Sequence, residues 1–172
     1  MTVIDTRHTH QSPGMKQQPQ TVSQCVIRPA TAADIPDMMR LTDHSATAAQ
    51  WSRNQYEQIF VPDFPERLAM VVQDSQGLQG LLIAQRILDE WEIENIAIAD
   101  PSRRQGLGTK LLQEFLDRAQ AKAARAVFLE VRESNHAARA LYEKWFFQES
   151  GRRPRYYSAP VEDAIIYRHT FA

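Results

Sequence analysis

Apolar residues recur along the chain in two periods, and the places where the period changes mark out the elements. Residues 1–23 show neither period. They are rich in Thr, His, Gln and Pro and have no face that could bury enough apolar surface to offset the entropy of ordering, so a disordered extension is predicted. The folded domain is expected over residues 24–172. Cys25-Val26-Ile27 reads as a short strand stopped by Arg28-Pro29. Over residues 34–43, Ile35, Met38, Met39 and Leu41 fall near one side of a helix. Its start carries two signals. Thr31 and Asp34 have the spacing of a capping box, whereas Pro36 fits better if Asp34 itself is the cap. A second helix, 53–60, is capped by Ser52 with Gln55 reaching back, and Trp51 and Tyr56 bracket the cap as a hydrophobic staple. Pro62 and Pro65 end it.

Period two then takes over. Residues 67–73 and 80–88 read as strands around an Asp74-Ser75-Gln76-Gly77 turn. Within 91–98, Trp91 and Ile93 point to one face while Ile96 and Ile98 are in the opposite phase. That slip predicts a bulge near Glu94-Asn95. In a helix over 107–123, Leu107, Leu111, Phe115 and Ala119 recur every four residues, with Leu112 and Leu116 beside them. The nearly continuous apolar run 126–131 predicts a strand buried on both faces. Residues 135–145 form a short helix with Ala138, Leu141, Tyr142 and Trp145 on one side, and strands near 147–152 and 164–169 close the chain. The order β-α-α-β-β-β-α-β-α-β-β predicts an α/β (α+β) fold, a mixed sheet with helices on both faces.

Length and charge narrow the function classes. A chain of 172 residues fits one domain with a real core. A net charge of -1 lacks the basic excess expected of a nucleic-acid binder. No apolar run approaches a membrane span, and the first residues have no signal-like apolar stretch, so a cytoplasmic protein without a membrane partner is expected. The lone Cys25 cannot form an internal disulfide and reads as a small core residue. His8 and His10 read as tail residues, and no metal is expected.

Candidate chemistry gathers where strand gives way to helix. Arg103-Arg104-Gln105-Gly106-Leu107-Gly108-Thr109-Lys110 holds two of the chain's six glycines. Glycine permits close backbone approach, and a helix N-terminus offers unpaired N–H groups and the positive end of a dipole. Together they make a pyrophosphate cradle. The spacing is neither a dinucleotide fingerprint nor a phosphate loop of the Gly-x4-Gly-Lys type. From the residues alone, a glycine turn opening a helix need bind nothing. Likewise Glu130 could simply pair with Arg132 or a helix arginine, Tyr142 could be core, and Asn135 could be an N-cap.

Arg-x-x-Gly-x-Gly after a bulged strand and before an amphipathic helix resembles the acetyl-CoA signature of the GNAT superfamily. The stretch from Leu129-Glu130-Val131-Arg132 through Asn135 to Leu141-Tyr142-Glu143-Lys144 resembles its second half. Gln50-Trp51-Ser52, Glu94-Asn95-Ile96-Ala97-Ile98, Arg152-Arg153-Pro154-Arg155-Tyr156-Tyr157 and Glu162-Asp163-Ala164-Ile165-Ile166 are similar to the branch of bacterial ribosomal-protein-alanine N-acetyltransferases. The likeness spans residues 26–168.

This resemblance implies a mostly antiparallel twisted sheet of about seven strands, and direct transfer of an acetyl group from acetyl-CoA to a protein N-terminus in a ternary complex. Other acceptors stay open: a small amine, an antibiotic or a lysine side chain. So does a silent acyl-CoA sensor. The chain would act as a monomer or weak dimer. Ile96, Ala97 and Ile98 would meet the pantetheine arm, and the backbone of Arg103, Arg104, Gln105, Gly106, Leu107, Gly108 and Thr109 the pyrophosphate. Asn135 would touch the CoA arm. Glu130 would be the general base and Tyr142 the general acid, while Trp51, Tyr156 and Tyr157 would shape the acceptor site. The types suit the chemistry. An amine attacks only when neutral, with a reference pKa of about 7.7–8.0, a carboxylate can take its proton, and a phenol can donate to the departing sulfur. Where the family commonly has Leu-Gly-Phe after the short helix, this chain has Trp145-Phe146-Phe147, which implies a strained left-handed Phe146 or a rebuilt turn.

Overall fold

A computed structural model of the chain describes residues 24–45, 47–62 and 65–172. The predicted extension, 1–23, lies outside them. Seven strands form one sheet: β1 (Val26–Pro29), β2 (Arg67–Asp74), β3 (Gly77–Ile87), β4 (Glu90–Ile98), β5 (Ala126–Arg132), β6 (Gln148–Ser158) and β7 (Val161–Thr170). Their spatial order is β1-β2-β3-β4-β5-β7-β6. Every neighbouring pair is antiparallel except β4 and β5, which run parallel. A parallel pair needs a crossover, and α3 (Leu107–Ala121) supplies it.

The apolar phases sort the helices to the two faces. Met70, Val72, Leu82, Ala84, Trp91 and Ile93 meet Leu111, Leu112 and Phe115 of α3, with Tyr142 of α4 (His136–Lys144) in the same layer. Val71, Leu81, Ile83 and Ala97 point the other way. They meet Ile35 and Met38 of α1 (Ile35–Asp43) and Tyr56 of α2 (Arg53–Gln58). Each Val, Leu, Ile, Met or Phe side chain among them, fully buried, contributes about 1.5–3 kcal/mol.

Both predicted start signals of α1 are used. Thr31 opens a 3-10 turn over Ala32–Asp34 and its N–H donates to the Asp34 carboxylate at 2.8 Å. Asp34 then precedes Pro36 at the start of α1 proper. The same carboxylate pairs with Arg28 at 2.7 Å, tying β1 to the helix start. Pro29 belongs to β1 rather than stopping it, as an edge strand allows. Ser52 caps α2 as predicted, with its N–H donating to Gln55 Oε1 at 2.8 Å.

Two expectations are corrected. β5 is not buried on both faces: Val127, Leu129 and Val131 are buried, but Phe128, Glu130 and Arg132 are half-buried on the other side. An apolar run hid a strand with one working face. The last two strands are also much longer than 147–152 and 164–169, because the exposed polar residues of β6 mask its alternation. They form a hairpin that carries Arg152 through Tyr157 within a strand.

Phe146 takes the left-handed conformation, φ +62°. Its N–H donates to Glu143 O at 3.1 Å and the Phe147 N–H to Tyr142 O at 3.0 Å, the two bonds of a Schellman turn. The turn is therefore kept and the strain accepted, with the ring 79% exposed.

Candidate active site

The bulge lies where the phase slip predicted it. Ile83 faces Asn95 and Ala84 faces Ile93, leaving Glu94 as the extra residue of β4. Beyond this point β4 and β5 part: pairing covers only Glu90–Ile93 with Ala126–Leu129. Among the described residues, one edge of the remaining β4, from Glu94 to Ile98, thus has no strand partner, and a cleft of about 760 Å³ opens between the diverging strands. It is lined by Ile96, Ala97 and Ile98 on one side and by Leu129, Glu130, Val131 and Arg132 on the other.

At one end of the cleft stands the start of α3. Gly106 has φ +79°, and no side chain caps the helix. The leading N–H groups of α3 are therefore presented to an anion, aided by the helix dipole. Arg104 also has positive φ, +61°, which shapes the turn. Arg103 is spent differently: its guanidinium donates to Ile98 O at 3.3 Å and pairs with Asp100 at 3.0 Å, fixing the end of β4. Both arginines, Gly106, Leu107, Gly108 and Thr109 line the cleft, whereas Gln105 turns away to donate to Pro101 O at 3.1 Å. A Cβ on Gly108 would lie 3.5 Å from Leu141 Cδ2 and 3.7 Å from Ile98 Cγ1, so glycine keeps that stretch of floor open. The fit to a pyrophosphate with a long thin arm running along β4 is good.

At the other end, Glu130, Tyr142 and Tyr157 converge. The Glu130 carboxylate, 16% exposed, holds the more exposed Arg153 at 2.9 Å. Burial pushes the Tyr142 phenol well above its ordinary pKa, with Tyr157 adding to the effect. Its ring packs on Phe147 and Tyr167, centroids 5.7 and 6.2 Å away. Burial also raises Tyr157, followed by the Glu130 charge. The Arg132 guanidinium lies 4.0 Å over the Tyr157 ring and is itself held by Glu162 at 2.7 Å. Tyr156 is raised chiefly by the Glu130 charge. It stands beside the cleft without lining it. Asn135 lines the cleft and also accepts from Ala138 N at 3.2 Å, so it caps α4 as well.

Trp51 is outside the cleft. Its ring packs on Tyr56, tilted, with centroids 5.5 Å apart, the staple predicted for α2. The sequence reading missed the segment just before it: Ser45, Ala48 and Ala49 do line the cleft. Small residues in a loop carry no pattern that would reveal them. It also missed Glu94, a lining residue whose carboxyl burial raises, partly offset by Arg67 at 3.3 Å. The bulge was the available signal, since a bulge re-aims its side chains. Among the described residues no cluster of His, Cys, Asp and Glu could hold a metal ion.

Comparison with known proteins agrees with this geometry. The model of the acetyltransferase (GNAT) family matches residues 36–146. The chain is 36% identical over 136 residues to the [ribosomal protein bS18]-alanine N-acetyltransferase of Escherichia coli K12, covering 77% of this chain and 88% of that protein. The crystal structure of the Escherichia coli ribosomal-protein-S18-alanine N-acetyltransferase superposes with a TM-score of 0.79 at 30% identity, over 87% of this chain and 95% of that one. Arabidopsis thaliana NAA60, solved in complex with acetyl-CoA, shares the fold at a TM-score of 0.77 and 16% identity, over 86% and 99%. The chain belongs to the GNAT family of acetyltransferases. It is an enzyme of the N-acetyltransferase class, acting by acyl transfer to nitrogen.

Proposed function

We propose that the chain transfers an acetyl group from acetyl-CoA to the N-terminal α-amine of a protein, the alanine of small-subunit ribosomal protein bS18. The acceptor follows the named activity of its relatives. The observation that carries the chemistry is the parting of β4 from β5, with an uncapped helix start at one end and Glu130 and Tyr142 at the other. The pyrophosphate would sit on the N–H groups of Gly106 to Thr109, and the free edge at Ile96 to Ile98 would bond the pantetheine arm as a missing strand would.

Each remaining step belongs to this chain's own groups. Glu130 takes the proton lost as the neutral amine attacks, which requires Arg153 to yield its place on the carboxylate. Tyr142 stays protonated throughout the neutral range. A thiol has a reference pKa of about 8.5, below a raised phenol, so Tyr142 steadies the departing sulfur mainly by donating a hydrogen bond to it. The free N–H groups of β4 are suited to the oxyanion. No side chain needs to be acylated, so transfer is direct. The substrates are those of the cytoplasm, and the reaction is assigned there.

The test is mass spectrometry of a synthetic peptide copying the bS18 N-terminus, incubated with enzyme and acetyl-CoA. One acetyl group on the α-amine is the expected result. A peptide left unmodified by an enzyme that binds acetyl-CoA would overturn the acceptor, and turnover with another amine would replace it.

A further inference from the structure

Of the polar side chains on β4, only that of Asn95 is fully buried, 4% exposed. The bulge puts it there. Because Glu94 is the extra residue, Asn95 pairs with Ile83 and shares its face, the side of the sheet covered by α1 and α2. Without the bulge Asn95 would pair one residue along, with Leu82, and would point into the apolar layer under α3. There an amide would be left without partners.

On the face it occupies, both halves of the amide are used, and by a single residue. Asn95 Nδ2 donates to Ala49 O at 3.0 Å, and Asn95 Oδ1 accepts from Ala49 N at 3.3 Å. A side-chain amide here imitates one rung of a β-ladder, across 46 positions of sequence. Among the described residues, the other side-chain hydrogen bonds of this segment lie near its ends, while Ala48 and Trp51 pack on the apolar layer under α1 and α2. Gln50 Nε2 donates to Thr42 O at 2.8 Å, and Arg103 reaches Ser45 Oγ at 3.4 Å. Between these points Ala48 and Ala49 line the cleft beside Glu94 and Asn95. The Asn95 amide matches both polar groups of Ala49 at once. An apolar residue would leave both unpaired, and a carboxylate would accept from the N–H but oppose the carbonyl.

We infer that Asn95 is a positioning residue for the acceptor: it locks the 47–51 segment against β4, so that Ala48 and Ala49 form a fixed wall for the first residue of the incoming peptide. This rests on the proposed acceptor. The bulge thereby has two products, a free strand edge on one side and a fixed acceptor wall on the other. Acetyl-CoA is to be held by backbone on the α3 side, which Asn95 does not touch, so the two substrates respond differently to its loss.

The experiment combines steady-state kinetics on the bS18 peptide, calorimetric acetyl-CoA binding, and amide hydrogen exchange at Ala49, for the wild-type chain, Asn95→Ala and Asn95→Asp. Both variants are expected to raise the acceptor KM about tenfold or more, the penalty of unpaired buried groups, while kcat changes less and the acetyl-CoA Kd stays within about twofold. Ala49 should exchange slowly in the wild-type chain and quickly in both variants. An unchanged acceptor KM, or acetyl-CoA affinity falling in parallel with it, overturns the inference. Should the wild-type chain leave the peptide unmodified, the acceptor reading fails by itself, and exchange at Ala49 still decides the clamp. Should the variants fail to fold, fast exchange of Ala49 in the wild-type chain overturns it and slow exchange upholds it.

Discussion

Three carboxyl side chains line the cleft; Asp100 is paired with Arg103 at the end of β4, and the surroundings of the other two, Glu130 and Glu94, differ. Glu130 holds Arg153, whose side chain is 56% exposed and so free to swing away, whereas Glu94 is matched with Arg67, 25% exposed and tied down. A group that must trade its partner for an amine does so more readily when that partner is mobile. Glu130→Gln is accordingly expected to lower kcat/KM about 100-fold or more, with acetyl-CoA affinity unchanged, and Glu94→Gln only a few-fold. Kinetics and calorimetry on the two variants check this, and a larger loss from Glu94→Gln would move the proton-accepting role to β4. Tyr142→Phe is expected to lower kcat about tenfold or more through loss of one donor to the sulfur. These residues were legible only through family likeness. Nothing in the pattern separates Tyr142 from the core stripe of α4, and it is indeed 3% exposed. The structure sets it at the cleft together with Ala138 and Leu141 of the same stripe, and of these three it alone carries a proton donor on its side chain.

Two helices end with the same strained turn. Ala123, φ +55°, closes α3 as Phe146 closes α4, and in each case the next residue's N–H reaches back to the helix: Ala124 to Ala119 O at 3.0 Å, Phe147 to Tyr142 O at 3.0 Å. Glycine is the residue this conformation favours. Ala123→Gly and Phe146→Gly are each expected to stabilise the fold by about 1 kcal/mol, read as a higher midpoint in thermal or denaturant unfolding; a lower midpoint would show that the side chain contributes more than the strain costs. The start of α1 has the opposite character. Arg28 and the Thr31 N–H hold Asp34 at a pKa of about 2, against an ordinary 3.8. A depressed folded-state value means stability that is complete above pH 4 or so and is lost as pH falls through 2. Asp34→Asn should therefore cost about 1–3 kcal/mol at neutral pH, and the gap to the wild-type chain should close in acid. Such signals are local, which is why caps, staple and bulge could be read from the sequence. The wall of Ala48 and Ala49 could not, since it exists only where a loop meets a strand 46 positions away.

Across the whole molecule the sheet consists of two antiparallel parts, β1–β4 and β5–β7, joined where Glu90–Ile93 meets Ala126–Leu129. The cleft sits at that junction, so parts far from it still shape it. Gly80 is one: a Cβ there would fall 2.6 Å from Ile98 Cδ1 and 3.0 Å from Ala97 O, pushing on the stretch of β4 assigned to the pantetheine arm. Gly80→Ala is expected to weaken acetyl-CoA binding and lower the melting temperature together, whereas a change in stability alone would show that β3 absorbs the strain. The single parallel pair has a consequence for the order in which the protein comes apart. The hairpins β2-β3, β3-β4 and β6-β7 close over short stretches of chain, whereas β4 meets β5 over Glu90–Ile93 alone, across the 15 residues of α3. That short seam between the two parts should be the first to open in mild denaturant. Activity would then vanish while the two hairpin stacks still give a near-native circular dichroism spectrum, and saturating acetyl-CoA, bridging the seam, would draw the two transitions back together.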